Sequence, residues 1–351
     1  MTKAELDSIK ILPLEDSWYR KVKEKLDGIA KPLDGLGKFE HLIAQIGAIE
    51  KTTKISIQKK AVLVMCADNG VVEEQVSQSG KEVTLAVAKA MGVNNSSVGK
   101  MAAVAGVDVI PVDIGIDTDE VIPGVLPRKV AKGTKNFAKE PAMTEEEVLK
   151  AIETGIQLVQ QCHREGYEIF ATGEMGIGNT TTSSAVASVL LKQQVTGKGA
   201  GLTDEALKRK CRVIKEAIEK YSLRDADAFT ILKTVGGLDI AGLTGVFIGA
   251  AIEQIPVVID GVISAVAALL AETLCKGAVN YMIPSHKSRE LAETAIMKKL
   301  HLDPVLDADM ALGEGTGAVM MMSLLDVALG VYLQGASFAN FEIEQYKRYE
   351  E

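Results

Sequence analysis

Tyr167-Glu-Ile-Phe-Ala-Thr-Gly173-Glu-Met-Gly-Ile-Gly-Asn-Thr-Thr-Thr-Ser-Ser184 is the stretch on which the fold turns. A mainly apolar run enters a glycine cluster, and the cluster enters a row of hydroxyl and amide residues suited to opening a helix. The same order recurs outward from it. Ala61–Cys66 runs into Ala-Asp-Asn-Gly70, Val107–Asp113 into Ile-Gly115, Pro256–Asp260 into Gly261, and Asn280–Ile283 into Pro-Ser-His286. Such uninterrupted runs suit strands buried on both faces of a parallel sheet. Helical patterns separate them. Thr144 with Glu147 makes a capping box ahead of the stripe Val148, Ile152, Ile156 and Val159. Thr203 opens a second helix with Asp204 and Glu205 in its first turn, where acids suit the helix dipole. Its apolar stripe is Leu207, Cys211, Ile214 and Ile218, with Lys210 at the edge, either reaching a cleft or snorkelling at the surface.

This alternation predicts an α/β fold, a doubly wound, mainly parallel open sheet of Rossmann-like type with ligands at the carboxyl ends of its strands. The sheet domain is expected over residues 56–304. A smaller helical domain is expected from the two chain termini, 1–55 and 305–351, and the mildly basic Arg128–Lys139 as an exposed loop.

Composition narrows the function. With 351 residues, 47% hydrophobic and 25% charged, the chain reads as an ordinary globule. Its 39 basic and 47 acidic residues give −8, which argues against nucleic acid or an anionic membrane as partner. Only 4% of residues are aromatic, while Gly numbers 32, favouring tightly packed helices and backbone-lined ligand loops. Cys66, Cys162, Cys211 and Cys275 form no CxxC, and the four histidines form no HxxxH, so neither a zinc site nor a disulfide framework is expected. The opening MTKAELDSIKILPLED has no apolar core of a signal peptide. The best apolar stretch, Ile240 to Ile252, stops at Glu253, short of the roughly 18–20 residues a membrane span needs. A reducing cytoplasmic location, no membrane and no cofactor are the expectations.

Two glycine-rich segments carry the chemistry. In Gly173–Ser184 three glycines allow close backbone approach, and Asn179 or Thr180 caps the following helix, so free N–H groups and the positive helix end suit a phosphate. Neither a Walker A loop nor a GxGxxG fingerprint is present here; the alternative is a tight strand-to-helix turn. In Leu312-Gly-Glu-Gly-Thr-Gly-Ala318, Glu314 lies between glycines. A ligand or neighbouring helix that desolvated it would raise its proton affinity towards that of a general base, and a plain helix start is the equal alternative. Weaker signals are Asp68-Asn-Gly70, Val235-Gly-Gly-Leu-Asp239, Asp260-Gly261 and Ser285-His-Lys-Ser288. His286 has no partner histidine near it in sequence. The Met320–Met322 run and Cys66 read as core.

Taken together, these segments resemble the nicotinate-nucleotide:dimethylbenzimidazole phosphoribosyltransferases of cobamide lower-loop assembly. The resemblance runs in order through Lys31-Pro-Leu-Asp-Gly-Leu-Gly37, Ala67–Gly70, Val76-Ser77 with Val83-Thr84, Gly173–Thr181, Gly197-Lys-Gly-Ala-Gly201, Gly236-Gly237, Asp260-Gly261, Ser285–Ser288 and Gly313–Ala318. It implies transfer of the 5-phosphoribosyl group of nicotinate mononucleotide to a lower-ligand base, giving an α-ribotide 5′-phosphate and nicotinate. It implies Glu314 as general base, with Glu174 as a second catalytic carboxylate. Gly176, Gly178, Asn179, Thr180, Lys210, Ser288 and Gly313 are implied as nucleotide and phosphate contacts. The acceptor pocket would hold Asn69, Ser77, Ser79, Ala86, Met175 and Leu312. The resemblance also implies no metal, small-molecule substrates, and a homodimer; the divergence of the chain leaves a heterodimer with a homologous subunit open.

Departures from the family pattern gather where the acceptor should sit. Asn69 replaces a usual histidine, Ser79-Gly80 a Tyr-Pro pair, and Ala86 a glutamine. The segment after Ser288 reads Arg-Glu-Leu-Ala-Glu293 where x-Glu-x-Gly-His is usual, and Ala200 stands for a threonine. These changes point to an acceptor other than dimethylbenzimidazole, such as a purine, another benzimidazole or a phenol, the last demanding more of Glu314 because its hydroxyl has a pKa of about 10. A dinucleotide-dependent oxidoreductase would need an early glycine fingerprint, which Ala67-Asp-Asn-Gly-Val-Val does not supply. A non-catalytic nucleotide-binding subunit would not need Glu314.

Overall fold

The computed structural model describes residues 1–199 and 201–348. Its centre is β1 (Lys60–Ala67), whose eight residues are all buried. Alternate side chains point to opposite faces of a strand, so Leu63 and Met65 enter one core while Val62, Val64 and Cys66 enter another. Around it lie β2 (Val107–Gly115), β3 (Leu126–Pro127), β4 (Ile169–Met175), β5 (Val257–Ile259) and β6 (Met282–Pro284), in the order β3-β2-β1-β4-β5-β6 with every pair parallel. The direction of strand order reverses between β1 and β4, whose ends run level at Cys66 and Met175. In such sheets the crevice for ligands opens beyond that point.

The helices are α1 (Lys3–Ser8), α2 (Asp16–Asp27), α3 (Lys38–Glu50), α4 (Glu82–Gly92), α5 (Ser97–Ala105), α6 (Glu145–Arg164), α7 (Asn179–Leu190), α8 (Asp204–Lys220), α9 (Ala228–Val235), α10 (Leu238–Glu253), α11 (Val262–Leu274), α12 (Leu291–Leu300) and α13 (Thr316–Gln334). The capping box of Thr144 and Glu147 opens α6 as expected. α6 and α10 cover one face and meet backbone to backbone: a Cβ on Gly155 would fall 2.1 Å from the Gly242 carbonyl oxygen, so the glycine permits the approach. α3, α4, α5 and α13 cover the other face. α13 lies directly on β4 and β5, while the segment after it returns to the N-terminal helices through Ala30 N–H to Ala336 O at 2.8 Å and through Arg348 to Asp27 and Asp34.

Three expectations need correction. Arg128–Lys139 is a packed loop: Phe137 fills the core, and Gly133 and Thr134 donate to Gly115 and Asp68 at the ends of β2 and β1. The buried face of α8 is Lys210, Val213, Ile214 and Ala217, rotated from the anticipated stripe, with Leu207, Cys211 and Ile218 only half-buried. Among the described residues the apolar helix long enough to cross a bilayer is Thr316–Gln334 rather than the Ile240 region, and its inner residues pack on the sheet. All four cysteines are free.

Candidate functional site

The cavity beyond β4, β5 and β6 has a volume of about 300 Å³, at the small end for a ligand site. Its floor starts with β4. Glu174 is the penultimate residue of the strand, and Gly178, at a φ of +94°, turns the chain into α7. Asn179 opens that helix and points back, its side-chain amide donating to the Glu174 carboxylate and, at 3.2 Å, to Asp239 at the start of α10. Two buried carboxylates therefore share one amide. Burial first, and then the neighbouring Asp239 charge, push Glu174 up to about 8. Burial pushes Asp239 up to about 6.

A second carboxylate cluster meets it from β5 and α13. Asp260 accepts the Gly315 and Ala318 amides at 3.2 and 3.0 Å, capping α13, and burial raises its pKa. Gly313, Glu314 and Gly315 have φ of +84°, +61° and +93° in succession. For a glutamate the left-handed region is unfavourable by about 1 kcal/mol, so the surroundings hold it there. Its Oε2 accepts the Val98 amide at 3.0 Å in the first turn of α5. Burial raises its pKa, opposed by that amide. The two glycine loops touch: a Cβ on Gly173 would lie 2.5 Å from the Glu314 carbonyl oxygen, and one on Gly313 2.7 Å from Glu174 Oε1.

Behind the opposite wall, beyond Thr180, lies a buried cation. Lys210 has no exposed surface, and its ammonium donates to Thr180 Oγ1 at 2.9 Å beside the N-terminus of α7. Burial lowers it to about 8. Glu290 closes this side, accepting the Gly199 amide at 2.8 Å. A buried cation at a helix N-terminus suits a phosphate, and carboxylates about an enclosed space suit a cationic or electron-deficient centre.

Residues 11–343 match the family described as phosphoribosyltransferase. A relative from Clostridium acetobutylicum, named nicotinate-nucleotide–dimethylbenzimidazole phosphoribosyltransferase, is 44% identical over 337 residues, covering 95% of this chain and 96% of its own. One of the same name from Acetivibrio thermocellus is 45% identical over 93% of this chain and 94% of its own. The crystal structure of CobT from Thermus thermophilus superposes with a TM-score of 0.89 at 32% identity, over 94% of this chain and all of that one. The chain belongs to the nicotinate-nucleotide–dimethylbenzimidazole phosphoribosyltransferase family.

Among the residues singled out in this phosphoribosyltransferase, the cavity wall holds Glu314, Glu174, Gly176, Asn179, Thr180, Ser288, Gly313, Met175 and Leu312. Gly178 lies behind the wall as the turn, and Lys210 reaches it through Thr180. Asn69 is buried beneath the Gly176 loop, and Ser77, Ser79 and Ala86 lie off the wall, with Ser79 and Ala86 exposed. Ala200 lies outside the described residues. The wall also holds Val87, Ile263, Asp260, His286 and Glu290, which sequence reasoning gave no role or only a weak one. For Asp260 the signal was its place at a strand end before glycine. His286 Nδ1 lies 2.9 Å from Ser285 Oγ. Asp27, Asp34 and Glu40, grouped closely enough to hold a metal, are instead paired with Lys23, Lys31 and Arg348.

Proposed function

We propose that this chain transfers the 5-phosphoribosyl group of nicotinate mononucleotide to an aromatic lower-ligand base. The observation that carries the reading is one cavity bounded on one side by Thr180 and the N-terminus of α7, with buried Lys210 bonded behind Thr180, and on the other by Glu174, Asp260 and Glu314. The 5′-phosphate is assigned to Lys210, Thr180 and the N-terminus of α7, with Gly176, Gly178, Asn179, Ser288 and Gly313 shaping the nucleotide site. A phosphate dianion there adds to the partial countercharge that Glu290 gives buried Lys210.

The reaction follows from the charges. A ring nitrogen of the acceptor attacks the anomeric carbon, and the bond to the pyridinium nitrogen breaks. Its electron pair returns to the ring and neutralises it as nicotinate departs. Burial raises the pKa of Glu174 and Glu314. The positive charge of the nucleotide opposes that rise, favouring their ionised forms as charge builds on the ribose. Glu314 takes the proton from the ring's other nitrogen, the N–H of the acceptor, so that the new ribotide leaves uncharged at the ring. Attack opposite the leaving group inverts the anomeric carbon. Met175 and Leu312, with Val87, offer apolar surface to a flat acceptor ring.

Acceptors beyond dimethylbenzimidazole are proposed from the sequence departures at Asn69, Ser79 and Ala86, none of which lines this cavity. Incubation with nicotinate mononucleotide and a panel of benzimidazoles, purines and phenols, read by mass spectrometry, tests both points. An α-ribotide 5′-phosphate with any of them supports the transfer, none with all of them refutes it, and exclusive use of dimethylbenzimidazole removes the broader acceptor range. Pairing with a second or homologous subunit is assigned to the outer face of α13, where Met320, Val327 and Leu333 are exposed. A monomer in sedimentation at working concentration would remove that assignment.

A further inference from the structure

Glu293 lies in the first turn of α12 with no exposed surface, off the cavity wall. One carboxylate oxygen accepts the backbone amide of Ser288; the other, Oε1, is buried with no hydrogen-bond partner. A buried oxygen left unpaired is costly, so a side chain with this cost that serves one loop calls for an explanation. The loop it holds is part of the site. Ser288 and Glu290 both line the cavity, the Glu290 amide donates to Ser288 Oγ at 3.2 Å, and the Glu290 carboxylate holds the Gly199 amide against Thr180. On its other flank the loop is fixed by Lys287 N–H to Leu306 O at 2.8 Å. Burial pushes Glu293 up to about 7, with Asp260 adding to the rise and Lys287 opposing it. An apolar or neutral side chain would fit the pocket at less cost.

We infer that Glu293 is a positioning residue for nucleotide binding: its carboxylate fixes the Ser288–Glu290 loop, and through Glu290 the Gly197–Gly199 segment, as the wall beside the phosphate end of the cavity. The inference rests on the proposed phosphoribosyl transfer and deepens it. Nothing in it touches the reacting atoms, so its loss acts on binding rather than on the chemical step.

Kinetics of the full-length protein test it. Glu293→Met keeps the volume and removes the acceptor. Its KM for nicotinate mononucleotide rises by about tenfold, the worth of a buried hydrogen bond to a charged group, while kcat stays within about threefold. Glu293→Gln keeps an acceptor oxygen and restores KM to within about twofold of the parent. An unchanged KM in Glu293→Met, or a fall in kcat as large as the rise in KM, overturns the inference. Hydrogen exchange on the unmodified protein gives a second reading, independent of how the variants fold. A Ser288 amide protected beyond that of its exposed neighbour Arg289 supports the anchor, and one exchanging as fast as Arg289 does overturns it. Failure of the parent protein to turn over any acceptor strikes the proposed function instead, and the exchange result still decides whether Glu293 holds the loop.

Discussion

Lys210→Met is expected to make the protein more stable and a poorer binder at once. The fall of the lysine pKa from 10.5 to about 8 corresponds to about 3 kcal/mol held against the folded state at pH 7. Methionine fills a similar volume without that charge. The hydrogen bond to Thr180 Oγ1 is lost, worth about 1 kcal/mol. A net gain of about 2 kcal/mol remains; for a chain of this length it raises Tm by about 3 °C. The sign has a pH signature. The unfolded chain keeps the lysine proton to near pH 10.5 and the folded protein releases it near 8, so stability of the parent climbs with pH across that window. The variant's advantage is therefore full below pH 8 and gone by 10.5. Meanwhile the KM for nicotinate mononucleotide rises by about 10- to 100-fold, because a charge-assisted contact to phosphate is removed. Scanning calorimetry at pH 7 and pH 10, with initial rates at pH 7, measures both. A variant several degrees less stable at pH 7, or one with the parent's KM, would refute the reasoning.

Glu314→Gln should lower kcat by about 10²- to 10⁴-fold, the usual worth of a general base, while nucleotide affinity by calorimetric titration stays within about tenfold; a parental kcat would exclude Glu314 as the base. Glu174 keeps a proton in the folded protein up to about pH 8, whereas in the unfolded chain it is lost near 4.5. Stability thus falls as pH rises between those values, and Glu174→Gln, unable to ionise, should flatten the fall in denaturant titrations at pH 5 and pH 8. Gly173→Ala places a Cβ 2.5 Å from the Glu314 carbonyl oxygen. It should destabilise by about 1–3 kcal/mol and depress kcat more than it raises KM; equal kcat in a folded variant would show that Glu314 tolerates displacement.

The parts legible in the sequence were those that local chemistry fixes. β1 and β4 announce themselves because strands buried on both faces need largely apolar runs. The glycines flanking Glu314 marked it as a candidate with a plain helix start as the equal alternative, and the family resemblance decided it. β3, two residues long, has too little pattern to be read. Lys210 was ambiguous for a different reason: periodicity ranks side chains by hydrophobicity and so tilts the α8 stripe away from a lysine, while packing against α7 rotates that lysine inward to Thr180. In α4 the register decides, since successive helical residues turn by about 100°; Val87 faces the cavity and Ala86 faces solvent. Asp239 depends on the distant Asn179, so its segment carries only a weak signal, and the burial of Glu293 beside Ser288 has no signature in the sequence pattern.

The site's electrostatics explain why these long-range groups are retained. Glu174, Asp239, Asp260 and Glu293 all have raised pKa values because burial removes their water, and Lys210 is lowered for the same reason. Each such group opposes folding, and no hydrophobic requirement of the sheet calls for any of them. Separated as they are, acids at the ends of β4 and β5 and the cation beyond α7, they fit a ligand with a phosphate at one end and an electron-deficient ribose at the other. Binding such a ligand would add to the partial countercharge that Glu290 gives the lysine. The empty site would therefore be the least stable form of the protein, and saturating nucleotide should raise Tm more in the parent than in Lys210→Met.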